Sequence, residues 1–81
     1  MTASPATQDF AEHFARCVQV LGGTTAAARR LGIDERAIRR FINGERPIGA
    51  GLMEDTAKTL RLLATEATEA EQQIATALGK A

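Results

Sequence analysis

The sequence has very few of the side chains on which enzymes and secreted proteins depend. Its 81 residues include one cysteine, one histidine, two prolines and three phenylalanines, with neither tryptophan nor tyrosine. A single cysteine excludes an internal disulfide and is typical of proteins from a reducing compartment. No apolar run is long enough for a membrane span or for the core of a signal peptide. We therefore expect a cytoplasmic protein that has no membrane partner.

The residue types needed for catalysis or for cofactor binding do not occur together. His13 and Cys17 are four residues apart, but no third group completes a nucleophile–base arrangement. No histidines, cysteines or carboxylates have the spacing of metal ligands, and no glycine-rich loop is combined with a lysine to hold phosphate. The sequence predicts neither an enzyme nor a metal or cofactor site.

The length and the composition allow one small domain with a thin core. A chain of 81 residues is too short to enclose a substrate cavity, and much of its 44% hydrophobic content is alanine. A core built from three phenylalanines and a few aliphatic residues is marginal on its own. We expect dimerisation to supply the missing burial.

The net charge of zero conceals an uneven distribution. Residues 1–28 carry a net charge of −1, residues 29–46 carry +3, and residues 47–81 carry −2. All six cations of the basic segment are arginines, namely Arg29, Arg30, Arg36, Arg39, Arg40 and Arg46. The planar guanidinium suits phosphate and guanine better than an ammonium does. This concentration favours nucleic-acid binding, although arginines also solvate ordinary helical surfaces.

The N-terminal part predicts one amphipathic helix over residues 8–21, after a frayed terminus at 1–6. Ser4 or Thr7 is a candidate cap for this helix. Its predicted apolar face recurs at helical spacing and consists of Phe10, Phe14, Cys17, Val18 and Leu21. Cys17 is therefore expected to be a small buried hydrophobe. His13 lies off this face and is expected to be structural or exposed to solvent.

Residues 24–44 predict two short helices joined by a tight turn. Thr24 is the expected N-cap of the first helix, and Gly32 stands where a helix end commonly needs a left-handed residue. Asp34 is the expected cap of the second helix, which stops at Asn43-Gly44. We refer to residues 24–44 as the motif.

The spacing of small and apolar residues in the motif is typical of a helix-turn-helix. Ala28 lies where the two helices would cross, and Gly32 permits the turn. The pattern resembles that of the phage Cro and cI repressor family, and the segment 42–47, Ile-Asn-Gly-Glu-Arg-Pro, resembles that family's closing segment. The resemblance covers approximately 21–48, about a third of the chain. Ala27 departs from it, because a larger aliphatic residue is more usual there.

The resemblance implies a role for each exposed residue of the motif. It places Glu35, Arg36 and Arg40 at the positions that face DNA bases, where arginine reads guanine and glutamate accepts from cytosine. Stabilisation of the first turn of the second helix, through the helix macrodipole, is a compatible role for Glu35. The remaining candidates are predicted to contact the DNA backbone, and they are Thr24, Thr25, Arg39, Asn43 and Arg46. A helix C-cap is the simpler interpretation of Asn43.

An alanine-rich helical pattern runs through residues 52–78, as one helix or as two with a break near Thr65 and Thr68. Its apolar positions approximate a heptad seam, formed by Met53, Ala57, Leu60, Ala64, Ala67, Glu71, Ile74 and Leu78. The first half is expected to pack on the motif. The second half has more apolar surface than an isolated tail needs, so Ala67, Ile74 and Leu78 are predicted to form a dimer interface; a helix folded back on its own domain is the alternative.

Together these patterns predict an all-α, lambda-repressor-like bundle of four to five helices. The expected divisions are a DNA-binding domain at 7–63 and a C-terminal extension at 64–81. The implied function is a dimeric transcriptional repressor on palindromic double-stranded DNA, similar to small phage regulators, including those that accompany anti-CRISPR genes. Gly22-Gly23 also resembles the entry of YdaS-type Cro-like antitoxins. A toxin-binding antitoxin is therefore the alternative, and a motif used only for protein contacts is a third reading.

Overall fold

A computed structural model describes residues 6–79 of the chain, with the side-chain environments of residues 10–79. Within that range the fold is all-α, and its secondary structure consists of four helices: α1 (Ala6–Val20), α2 (Thr24–Leu31), α3 (Glu35–Ile42) and α4 (Ala50–Ala77). The predicted helical bundle is thus confirmed at the level of four packed helices. None of the described helices is both long enough and apolar enough to span a membrane.

The core lies where α1 meets the other three helices. Its buried hydrophobic residues are Phe14, Val18, Leu21, Ala27, Ala28, Ile38 and Ile48. The apolar face predicted for the first helix is confirmed at Phe14, Val18 and Leu21, but Cys17 is only half-buried. The prediction of a buried cysteine was wrong because position 17 falls at the edge of the face that Phe14, Val18 and Leu21 bury. His13 is exposed, as expected.

The N-terminal boundary differs from the predicted one. Helix α1 begins at Ala6 and already includes Thr7, so Thr7 is not its cap. The frayed terminus predicted at 1–6 and the alternative cap Ser4 fall, apart from Ala6, outside the described residues.

Glycines set the two turns that flank α2. Gly22 and Gly23 have φ values of 109° and 105°, and Gly23 is the N-cap residue of α2. The predicted cap, Thr24, is instead the first residue of the helix. That prediction was wrong because the chain enters α2 through a conformation that only glycine adopts readily. At the other end, Gly32 has φ 71° and ψ 31°, the left-handed cap that its position predicted.

Helix α3 is oriented by one cap and one buried side chain. The Asp34 carboxylate accepts a hydrogen bond from the backbone N–H of Arg36 at 3.3 Å, as its position predicted. Ile38 is completely buried against α1 and α2. Among the described residues α3 packs on those two helices and makes no contact with α4.

Two aromatic rings connect α1 with α3. Phe14 and Phe41 meet edge to face, with ring centroids 5.8 Å apart. Such pairs are worth about 0.5–1.5 kcal/mol beyond the burial of their area. Between α3 and α4, Ile48 is buried and anchors the connecting loop to the same core.

Helix α4 is one uninterrupted helix of 28 residues, which answers the question that Thr65 and Thr68 left open. Its packed face follows Met53, Thr56, Leu60 and Leu63. The predicted seam was wrong at Ala57, which is exposed, because Thr56 takes the buried place. The Thr56 hydroxyl donates to the Leu52 carbonyl at 2.8 Å, so this polar side chain is satisfied inside the core.

The second half of α4 extends beyond the core. From Ala67 to Leu78 every side chain is exposed except that of Ala75, which is half-buried. Eleven residues, 67–77, correspond to about 16 Å of helix. The extension makes the molecule elongated, with extents of 53 × 30 × 17 Å and a radius of gyration of 15.8 Å. A compact chain of this length has a radius of gyration of about 12 Å.

The glycine conformations predict opposite effects for one substitution at two positions. Gly32→Ala puts a side chain in the left-handed region and should lower the free energy of unfolding by about 1 kcal/mol. Gly51→Ala, inside α4 with no neighbour within 4 Å of the new Cβ, should raise it by about 0.5 kcal/mol because alanine has less freedom in the unfolded chain. Urea denaturation followed by circular dichroism measures both, and shifts of the same sign would contradict this account of the turn.

Candidate functional site

The exposed face of α3 presents three arginines. Arg36, Arg39 and Arg40 are spaced i, i+3, i+4, so their side chains emerge on one side of the helix. All three are exposed, whereas Ile38 on the opposite side is completely buried. The predicted base-reading arginines and the predicted phosphate-binding Arg39 thus share one surface, which we call the arginine face.

The members of the arginine face differ in their partners. Arg39 forms an i,i+4 pair with Glu35, with Nη1 and Oε1 3.7 Å apart. This pair is partly open to solvent, so it holds the two side chains only loosely. Arg36 and Arg40 have no ion-pair partner within residues 10–79. Their guanidinium groups are therefore the ones available to a ligand, and the half-buried Glu35 is first of all a partner of Arg39.

Another arginine of the motif has a structural partner that the sequence did not reveal. The Nη2 atom of Arg30 donates to Glu66 Oε1 at 2.9 Å and so joins α2 to α4. The two residues are 36 positions apart, and no local pattern relates them. Arg30 therefore belongs to the helix packing rather than to the arginine face.

The C-terminal end of α3 contains two further candidates. Asn43 is the C-cap of α3, in agreement with its simpler interpretation, and its backbone N–H donates to the carbonyl of Arg39 at 2.9 Å. The guanidinium of Arg46 lies over the Phe41 ring, 5.3 Å from the centroid. This contact was not predicted, and it holds the loop cation beside the end of α3.

The first turn of α2 contains the two predicted phosphate-binding threonines. Thr24 is half-buried and Thr25 is exposed. Because Gly23 has no side chain to cap the helix, the first backbone N–H groups of α2 have no capping partner from that residue. Such N–H groups bind anions readily.

The candidate interface residues of α4 are accessible. Ala67, Ile74 and Leu78 are all exposed, with 61% of Ile74 and 65% of Leu78 open to solvent. They continue the face that Leu60 and Leu63 use inside the core, since they follow Leu63 at successive spacings of four, seven and four residues. This exposed apolar stripe is separate from the arginine face, because α3 and α4 are not in contact within the described residues.

No protein-family model, curated protein or solved structure matches this chain. Within residues 6–79, no group of three or more His, Cys, Asp or Glu side chains is arranged to hold a metal ion. The exposed arginines of α3 form a cationic surface rich in hydrogen-bond donors, which suits an extended polyanion.

Arg46 contacts the Phe41 ring, whereas Arg36 has no ion-pair partner among residues 10–79, so the two arginines should differ in their effect on stability. Arg46→Ala removes the cation from the Phe41 ring and should lower the free energy of unfolding by about 0.5–1 kcal/mol. Arg36→Ala removes an exposed side chain and should change it by less than about 0.5 kcal/mol. A double-mutant cycle with Phe41→Leu isolates the ring–cation interaction. A coupling energy of zero in that cycle would contradict the stacking.

Proposed function

We propose that the protein is a sequence-specific DNA-binding repressor of the helix-turn-helix type, with α2 and α3 as the two motif helices. The observation that carries this proposal is the arginine face, in which a buried Ile38 turns three arginines outward on one short helix. A helix of this kind fits the major groove of B-form DNA. The lambda-repressor-like fold that the resemblance of the motif implies is part of this proposal.

The contacts proposed for the motif fall into two groups. Arg36 and Arg40 read base edges, and Glu35 joins them when a cytosine lies nearby. The remaining contacts reach phosphates and fix the position of α3 in the groove. They come from the first turn of α2 at Thr24 and Thr25, from Arg39, and from Asn43 and Arg46 at the end of α3.

Repression by this chain requires two copies on one operator. We propose a homodimer assembled through Ala67, Ile74 and Leu78, which lie on the second half of α4, beyond the core. Two motifs about 34 Å apart then occupy successive major grooves of a palindrome. The bound dimer blocks a promoter in the cytoplasm, and the promoter of its own operon is the first candidate.

Toxin neutralisation is the second candidate function. The exposure of Ile74 and Leu78 favours it as much as it favours self-association, because either partner would bury them. The unbroken helical course of α4 to Ala77 favours a preformed helix–helix interface over a tail that wraps around a toxin. We therefore place the homodimer first.

The two groups of arginines predict two kinds of loss in DNA binding. Arg36→Ala and Arg40→Ala should each weaken binding to the operator by about 1–3 kcal/mol and leave binding to random DNA nearly unchanged. Arg39→Ala should weaken both and reduce the slope of log K against log[salt] by about one unit per protomer. Mobility shifts across a range of salt, on DNA upstream of the gene and on random DNA, measure these effects.

Arg61→Ala is the matched control, because Arg61 is an exposed arginine on α4, which makes no contact with α3 in the described chain. It should bind like the unmodified protein. Equal losses on operator and random DNA for all three α3 variants would overturn the assignment of base readers. If the unmodified protein bound upstream DNA no more tightly than random DNA, the repressor proposal would fail. Toxin neutralisation would then become the first candidate function.

The proposed interface predicts a change of oligomeric state. Ile74→Glu combined with Leu78→Glu places charges in the apolar stripe and should convert the dimer to a monomer, as measured by analytical ultracentrifugation. Leu62→Glu is the control, since Leu62 is 61% exposed but emerges from a different face of α4. A dimer that survives the double substitution, or one that only Leu62→Glu disrupts, would exclude this interface.

A further inference from the structure

The arginine face is chemically uniform. The exposed side chains of α3 are Arg36, Arg39 and Arg40, and the helix contains no asparagine, glutamine, serine or threonine. Apart from Glu35, which pairs with Arg39, every polar side chain of α3 is a hydrogen-bond donor. A guanidinium donates through five N–H groups and accepts none.

The bases differ in how well their major-groove edges match a surface made of guanidinium donors. In the major groove guanine presents two adjacent acceptors, O6 and N7, which match the two parallel donors of a guanidinium. Adenine places its N6 amino donor beside N7 and pairs with asparagine or glutamine, which α3 lacks. Thymine offers a single acceptor and a methyl group. Guanine is therefore the base that the arginine face recognises best.

The structure also limits the distance between the two recognised bases. Arg39 pairs with Glu35, so Arg36 and Arg40 are the two arginines of α3 that have no ion-pair partner among residues 10–79. Their α-carbons are separated by four residues, or about 6 Å along the helix axis. Stacked base pairs are about 3.4 Å apart along the duplex. Two arginines on one helix face at this separation match bases about two steps apart.

Building on the proposed function, we infer that each half-site of the target contains two G·C pairs within about three consecutive base pairs. Arg36 contacts the guanine of one pair and Arg40 contacts the guanine of the other, each through O6 and N7. Helix α3 contains no asparagine or glutamine with which to recognise adenine. The operator is therefore defined by a short, guanine-specified core in each half-site.

Selection from a random duplex library with the full-length protein tests this inference. The enriched sequences should contain two G·C pairs within three base pairs in each half-site. Arg36→Ala should lose the preference at one of these positions and Arg40→Ala at the other, where each contact is worth about fivefold to 150-fold in affinity. Arg61→Ala, at an exposed arginine of α4 outside the arginine face, is the control and should enrich the same two pairs.

A chemical probe separates the groove contact from an effect of DNA shape. Replacing each selected guanine with 7-deazaguanine removes N7 but keeps base pairing, and it should weaken binding by about tenfold because one of the two hydrogen bonds is lost. The unmodified duplex and one with 7-deazaadenine at a neighbouring adenine are the references. The 7-deazaguanine should have no further effect on the variant that lacks the matching arginine.

The outcomes of the selection distinguish a failure of this inference from a failure of the proposed function. Enrichment of a motif specified by A·T pairs, or two guanines whose selection does not depend on Arg36 and Arg40, would overturn the inference while leaving DNA recognition intact. If no sequence were enriched and the library were retained no better than by the Arg36→Ala, Arg40→Ala double variant, the proposed function itself would fail.

Discussion

The packing of Ile38 against α1 and α2 is the interaction on which the rest of the candidate site depends. Successive residues of a helix are about 100° apart around its axis, so the position of one buried side chain fixes where all the others emerge. With Ile38 completely enclosed by α1 and α2, Arg36, Arg39 and Arg40 necessarily face outward. A rotation that brought Arg39 into the place of Ile38 would bury a charged guanidinium, which is far more costly than the loss of one isoleucine contact.

Contacts of different kinds keep this short helix in place. The Asp34 cap satisfies its first turn, and the edge-to-face pair of Phe14 and Phe41 ties its far end to α1. Arg46 covers the outer side of the Phe41 ring. Eight residues are too few for a stable helix in isolation, so the outward presentation of the arginines is a property of tertiary packing.

The features that follow local rules could be predicted from the sequence. The left-handed Gly32 and the Asp34 cap are dictated by neighbours within four residues, and the structure has both. The cap of α2 could not be assigned in this way, because the choice between Gly23 and Thr24 depends on the direction in which the chain leaves α1. The bond from Arg30 to Glu66 links distant positions, and the burial of Thr56 rather than Ala57 depends on how α4 rotates against the core. Tertiary contacts decide such points, and one sequence does not reveal them.

The lack of contact between α3 and α4 in the described chain has a consequence for how the molecule can change. Substitutions at sites that are far apart and share no partner usually combine additively in free energy. Residues on the arginine face and residues on the second half of α4, beyond the core, meet this condition. The surface chemistry of α3 and the choice of partner along α4 are therefore free to diverge independently over evolution, within one domain of 81 residues.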